Sequence, residues 1–169
     1  MTTGTTGAAD AALRTHVRAL LTERQAHVLL SDVLDGFPLE RINDRPEGVP
    51  YSAWEVLWHL RFTQRDILDF VRDEAYVEPE WPTGYWPDRT RAAATPEDWH
   101  AEAQAFREDL AALLTLLDDP TTDLLAVVPN GAKPGAGEQT WLREFLLVAD
   151  HNAYHVGQLM LLKRVLGAG

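Results

Sequence analysis

Apolar residues recur at helical spacing in four separate stretches of this chain of 169 residues. In the first, Leu13, Val17, Leu20, Val28 and Leu34 predict a helix from Asp10 to about Leu34, with Asp10 as its N-cap. Gly36, Phe37 and Pro38 supply its stop. The second runs from Ala53 to about Val71, with a buried face of Ala53, Val56, Leu57, Leu60, Ile67 and Val71. Ser52 and Glu55 form a Ser-x-x-Glu capping box before it, and Tyr51 and Val56 are available as a hydrophobic staple. The third begins at Thr95-Pro96-Glu97-Asp98, a capping Thr followed by Pro at N1 and early acids. Ala103, Phe106, Leu110, Leu113, Leu114 and Leu117 form its stripe, and Asp118-Asp119-Pro120 ends it. The fourth extends from Trp141 to about Leu166, capped by Thr140 and closed by Gly167. Four segments with one apolar face each predict an all-α fold, a four-helix bundle.

The connections carry their own signals. Residues 1–9, rich in Thr, Gly and Ala, read as a flexible tail, which leaves 10–169 as a single domain. Pro38, Pro46, Gly48 and Pro50 mark an ordered link. Between Arg72 and Thr95, Trp81, Tyr85 and Trp86 make the link too apolar for a disordered linker. Such a long aperiodic connection implies a functional loop or a crossover. Two readings fit it: a cover over the mouth of a cavity, or a strap over helix ends. Its length allows the second and third helices to run parallel. Residues 121–139, with the apolar run Leu124 to Val128, then Pro129-Asn130-Gly131 and Pro134-Gly135, suggest a hairpin-like excursion.

Composition narrows the function classes. The net charge is −11, with 15 basic against 26 acidic residues and no basic run, which argues against a nucleic-acid partner. There is no cysteine, so disulfides, zinc–thiolate sites and a protein-borne thiol nucleophile are excluded. No stretch approaches the ~18 apolar residues of a membrane span, and the first residues lack the basic and apolar regions of a secretory signal. A cytoplasmic protein is the expectation.

Candidate chemistry lies in the fourth segment, in Asp150-His151-Asn152-Ala153-Tyr154-His155-Val156-Gly157-Gln158. Two histidines four apart project from one helical face and can reach one metal ion. The bland alternative is a pair of core histidines satisfied by hydrogen bonds. His59, in Trp58-His59-Leu60, sits at the edge of the second helix's stripe and would complete a three-ligand, open metal site. Trp54 and Trp58, four apart, read as packing residues. His27, on the first stripe, reads as a core histidine or as a group beside the metal; His16 and His100 lie outside the stripes.

These residues, Asp150 to Gln158 with the upstream Trp58-His59-Leu60, resemble the DinB-like (YfiT-type) metal-binding four-helix bundles, over nearly the whole chain after its first ten residues. The resemblance implies one divalent metal held by His59, His151 and His155, parallel second and third helices, and a homodimer. It also implies, from some relatives, transfer of low-molecular-weight thiols to small electrophilic substrates, and from others hydrolysis. A cysteine-free chain would take such a thiol from its cosubstrate. The other class is a non-enzymatic, stress-associated bundle whose metal supports the fold.

Three imidazoles suit Zn, Ni, Fe or Cu rather than Ca or Mg. Asn152 occupies the position where metalloproteases carry a general-base Glu after the first histidine, and an amide cannot take a proton at neutral pH, which argues against a peptidase of that type. Asp66, Glu55 and Asp150 are the carboxylates left as candidate bases, Asp150 pointing about 100° from His151. Gln158, about 20° from His151, can bond a ligand water or the neighbouring helix.

Overall fold

The structure is a computed structural model that describes residues 3–133 and 137–167. Four long helices carry the fold: α1 (Thr3–Thr22), α3 (Ala53–Arg72), α4 (Pro96–Asp118) and α5 (Trp141–Gly167). A short helix, α2 (Leu30–Leu34), follows α1, and single 3-10 turns punctuate the links. Among the described residues there is no strand.

The starts of the long helices follow local sequence. Ser52 Oγ accepts from the Glu55 amide at 3.3 Å, and the Glu55 carboxylate accepts from the Ser52 amide at 2.8 Å. Thr95 and Asp98 repeat that exchange at α4, with Pro96 at its first turn. Thr140 Oγ1 accepts from the Arg143 amide at 3.2 Å. Each of these bonds satisfies an amide that the helix cannot pair itself. At the other end of α4, the Arg14 guanidinium donates to the carbonyls of Leu117, Asp119 and Thr122, tying α1 to it.

Helix directions follow from the side-chain pairing. Arg61 lies against Glu102, Gln64 donates to the Phe106 carbonyl, and Arg65 bonds Asp109. Partner numbers rise together, so α3 and α4 run parallel, and the segment between them is the crossover. Toward α5 they run oppositely, His59 meeting His155 while Gln64 meets Asn152. Two apolar clusters result. One gathers Leu57, Leu60, Trp99, Leu159 and Leu162 with α2; the other gathers Val17, Leu68, Leu113, Phe145 and Val148.

The first helix departs from its expected limits. It is helical back to Thr3, so Asp10 is not an N-cap but sits mid-helix, paired with Arg14 at 2.7 Å. It stops at Thr22 instead of running to Leu34. Glu23 to His27 are all exposed, so a continued helix would have no apolar face to bury there, and packing is what sustains most helices. The chain restarts at α2, where Asp32 accepts from the Leu29 amide at 3.0 Å. Gly36 leaves α2 at φ +61°, a left-handed conformation that glycine adopts without strain.

The expected hairpin is reduced to one isolated bridge, Val127 with Thr140. Leu124 and Val128 anchor that link in the core, whereas Leu125 is exposed. Gly131 closes it, because a Cβ there would lie 2.5 Å from the Gln139 carbonyl oxygen. Pro134 and Gly135 lie outside the described residues.

Candidate metal centre

His59 enters from the second turn of α3, and His151 and His155 from the middle of α5. Their antiparallel packing brings one ring nitrogen of each to within 4.8 Å of the others. His59 Nε2 and His151 Nε2 are 3.2 Å apart. Ligands of one ion with ~2.1 Å bonds lie within about 4.2 Å of one another, so a modest ring rotation closes the group.

The outer nitrogens are already engaged. His59 Nδ1 donates to the Tyr85 carbonyl at 2.7 Å, and His155 Nδ1 donates to Gln158 Oε1 at 2.8 Å. With Nδ1 protonated in each, a neutral ring leaves Nε2 as a bare lone pair turned toward the cluster. This is the tautomer that metal-ligating histidines need, fixed by carbonyl partners. His151 Nε2, 3.2 Å from His59 Nε2, can donate a proton to it in the metal-free cluster, or release that proton and join it in holding a cation. Gln158 therefore orients a histidine, rather than meeting a water or the next helix.

Burial favours the neutral rings. It lowers His59, against the opposing Tyr85 carbonyl. It brings His151 down to about 3, helped by the neighbouring His155 and His59. His155 falls to about 4 by burial, opposed by its bond to Gln158 and assisted by His59.

Two further residues shape the cluster. Trp86 stacks on His59 with centroids 4.1 Å apart and planes within 8°, and Tyr51 stacks on the other face of Trp86 at 3.8 Å. Tyr51 thus serves this stack rather than only a staple at the start of α3. The long crossover is a cover over the histidines. Its aromatic content foreshadowed the packing, but nothing in the sequence singled out Trp86 or the Tyr85 carbonyl.

The other candidate residues separate. His27 is exposed and bonded to the Val28 carbonyl, so it is neither a core histidine nor a neighbour of the three gathered histidines. His16, His100 and Asp150 are also exposed. Asn152 donates to Gln64 Oε1 at 3.0 Å, and Gln64, fully buried, passes the chain on to the Phe106 carbonyl. Glu55 is clamped by Arg45 and Arg89. Asp66 lies two turns along α3 from His59, its oxygens accepting from the Tyr76 and Tyr85 hydroxyls at 2.8 Å each. The group of three histidines includes no carboxylate.

A family model for the DinB superfamily matches residues 10–159. The chain belongs to the DinB superfamily. No curated protein and no solved structure matches it. The helical bundle and the gathered histidines agree with the resemblance that the Asp150–Gln158 stretch carries. Among the described residues, no helix is long and apolar enough to cross a membrane.

Proposed function

We propose that this DinB-superfamily chain is a metal-dependent enzyme that transfers a low-molecular-weight thiol to a small electrophile, with His59, His151 and His155 holding one divalent transition metal. The observation that carries the reading is the paired orientation of the rings: His59 and His155 commit Nδ1 to oxygen acceptors and turn Nε2 inward. Zn, Ni and Fe all suit three imidazoles with open positions. Such an ion, when bound, supplies the positive charge that lowers the pKa of a coordinated thiol or water.

The protein's own groups favour a thiol over water as nucleophile. Water attack wants a base within hydrogen-bond reach, and the cluster holds none. Asn152 is spent on Gln64, and Glu55 on two arginines. A thiol starts from a pKa of about 8.5, close enough to neutrality to need no such base. With no cysteine in the chain, that thiol comes from a cosubstrate. Trp86 and Tyr85 do the positioning: one ring braces the face of His59, and one carbonyl fixes its tautomer.

The test is a screen of zinc-, nickel- and iron-loaded protein with low-molecular-weight thiols and small electrophiles, run beside ester and amide hydrolysis. Thiol transfer that vanishes in His155→Ala supports the reading. Hydrolysis without any thiol would replace it with the hydrolase alternative, and absence of turnover with each metal would favour a bundle in which the site only supports the fold. A homodimer through a helical face is a separate expectation; a light-scattering mass near 18.9 kDa would exclude it.

A further inference from the structure

A cavity of about 650 Å³ lies beside the histidines and is not lined by them. Its walls include Asp66 and Ile67 of α3 and Leu147 of α5. Asp66 is seven residues beyond His59, about 10 Å along α3, and Leu147 is four residues before His151, about 6 Å along α5. Because α3 and α5 run in opposite directions, both displacements point the same way. The cavity therefore adjoins the histidines along the bundle axis. Tyr85 joins the two: its carbonyl accepts from His59, and its hydroxyl donates to Asp66.

The lining is short of cations. Asp66, Glu78 and Glu144 face it with Lys133 and Arg143, three carboxylates against two basic groups. Arg143 is already paired with Glu144 at 3.0 Å. Asp66 is held only by the neutral Tyr76 and Tyr85 hydroxyls, and among the described residues no Lys or Arg pairs with it. A carboxylate offers about four acceptor positions, so two stay open. Asn130, only 1% exposed, also lines the cavity. Its amide nitrogen donates to the carbonyls of Phe70 and Asp73, and its opposite edge, Oδ1, has no hydrogen-bond partner. Both unsatisfied groups are acceptors, and one is anionic. The ring of Phe70 in the same wall offers a surface for a cation.

Resting on the reading of the three histidines as a reactive metal centre, we propose that the substrate seated in this cavity carries a protonated amine, with Asp66 as its counterion. The open positions on Asp66 need N–H donors, so a quaternary ammonium group would satisfy only the charge. Burial raises the Asp66 pKa against the two tyrosine hydroxyls, with Glu78 and Asp69 adding to the rise, and a bound amine would reverse that shift.

The experiment titrates full-length protein, metal-free and zinc-loaded, with hexylammonium, hexyltrimethylammonium, hexanoate and hexanol at pH 7.5. Hexylammonium should bind both forms at least about tenfold more tightly than the other three, the scale expected of hydrogen bonds to a charged group. Asp66→Asn should weaken it by a similar factor. Equal or tighter binding of hexanoate or hexanol, no binding of hexylammonium, or unchanged binding in a folded Asp66→Asn protein would overturn the proposal. If Asp66→Asn fails to fold, the four-ligand series on the native chain decides alone. Failure of zinc to bind would strike the metal reading instead, and would leave hexylammonium binding to the metal-free protein intact.

Discussion

Two carboxylates on α3, Glu55 and Asp66, are three turns apart, and both fasten the crossover segment to the bundle. Glu55 receives both arginines, Arg45 at 2.8 and 2.9 Å and Arg89 at 2.7 Å, besides capping its own helix. Burial pushes Glu55 up, but the bonds from Arg45, Ser52 and Arg89 outweigh it and bring it to about 2. Asp66 receives two tyrosine hydroxyls and no cation, and there burial wins, raising its pKa. The same residue class at two points of one helix thus serves two ends. A carboxylate saturated by guanidinium groups is a fastener with no spare capacity. One held by neutral hydroxyls keeps its charge available to whatever enters the cavity.

The largest effect should come from a carboxylate with neither kind of partner. Asn152→Asp would place one beside Gln64, where Asn152 Oδ1 is already buried and unpaired. We expect a loss of about 3 kcal/mol or more, the cost of an uncompensated buried charge, with no gain in hydrolysis. A denaturant midpoint within error of the native one would show that water reaches the position.

Glu55→Gln should cost about 2 kcal/mol, below the full value for a broken buried pair because both arginines are about half exposed. For a chain of this length that is a fall of about 4–8 °C in Tm. Asp66→Asn should change stability by less than about 1 kcal/mol in either direction. A carboxyl pKa raised by folding means that its ionised form is disfavoured in the native state, so removing the charge at neutral pH relinquishes little. Equal losses in the two variants would erase the distinction between fastener and binding group.

Acid titration separates the regions again. Glu55 is lowered, so its contribution is complete above the ordinary carboxylate range and is lost as pH falls toward about 2. His151 and His155 are lowered as well, to about 3 and about 4, so the metal-free fold should lose stability earlier, as pH drops below the ordinary histidine value of about 6.5. Melting scans of metal-free protein from pH 7 to 4 should show this decline, and His151→Ala should flatten it. A native curve that stays flat to pH 4 would mean that the rings are charged or hydrated.

Much of this was legible because it is local. The Ser52–Glu55 and Thr95–Asp98 boxes, the stripes of α3 and α4, and the four-residue spacing of His151 and His155 depend on neighbours within a turn. The cover over His59 was legible only as a long aromatic link. Its working parts, the Tyr85 carbonyl and the Trp86 ring, depend on how residues 26 and 27 positions away return to α3, which no local pattern encodes. Glu55 was a candidate base for the same reason: Arg45 and Arg89 find it only in three dimensions. The break after Thr22 carries no Gly or Pro, and periodic leucines bridged it on paper, although the exposed stretch from Glu23 to His27 left nothing to pack.

The central claim is that His59, His151 and His155 form one metal centre, and metal content tests it most directly. Native protein and the variants His59→Ala, His151→Ala and His155→Ala would each be loaded with zinc, dialysed at pH 7.5 and analysed for bound metal, with helicity checked in parallel. One equivalent in the native chain and little or none in each folded variant is the expected result. Retention of a full equivalent by any folded single variant, or none by the native chain, would contradict it.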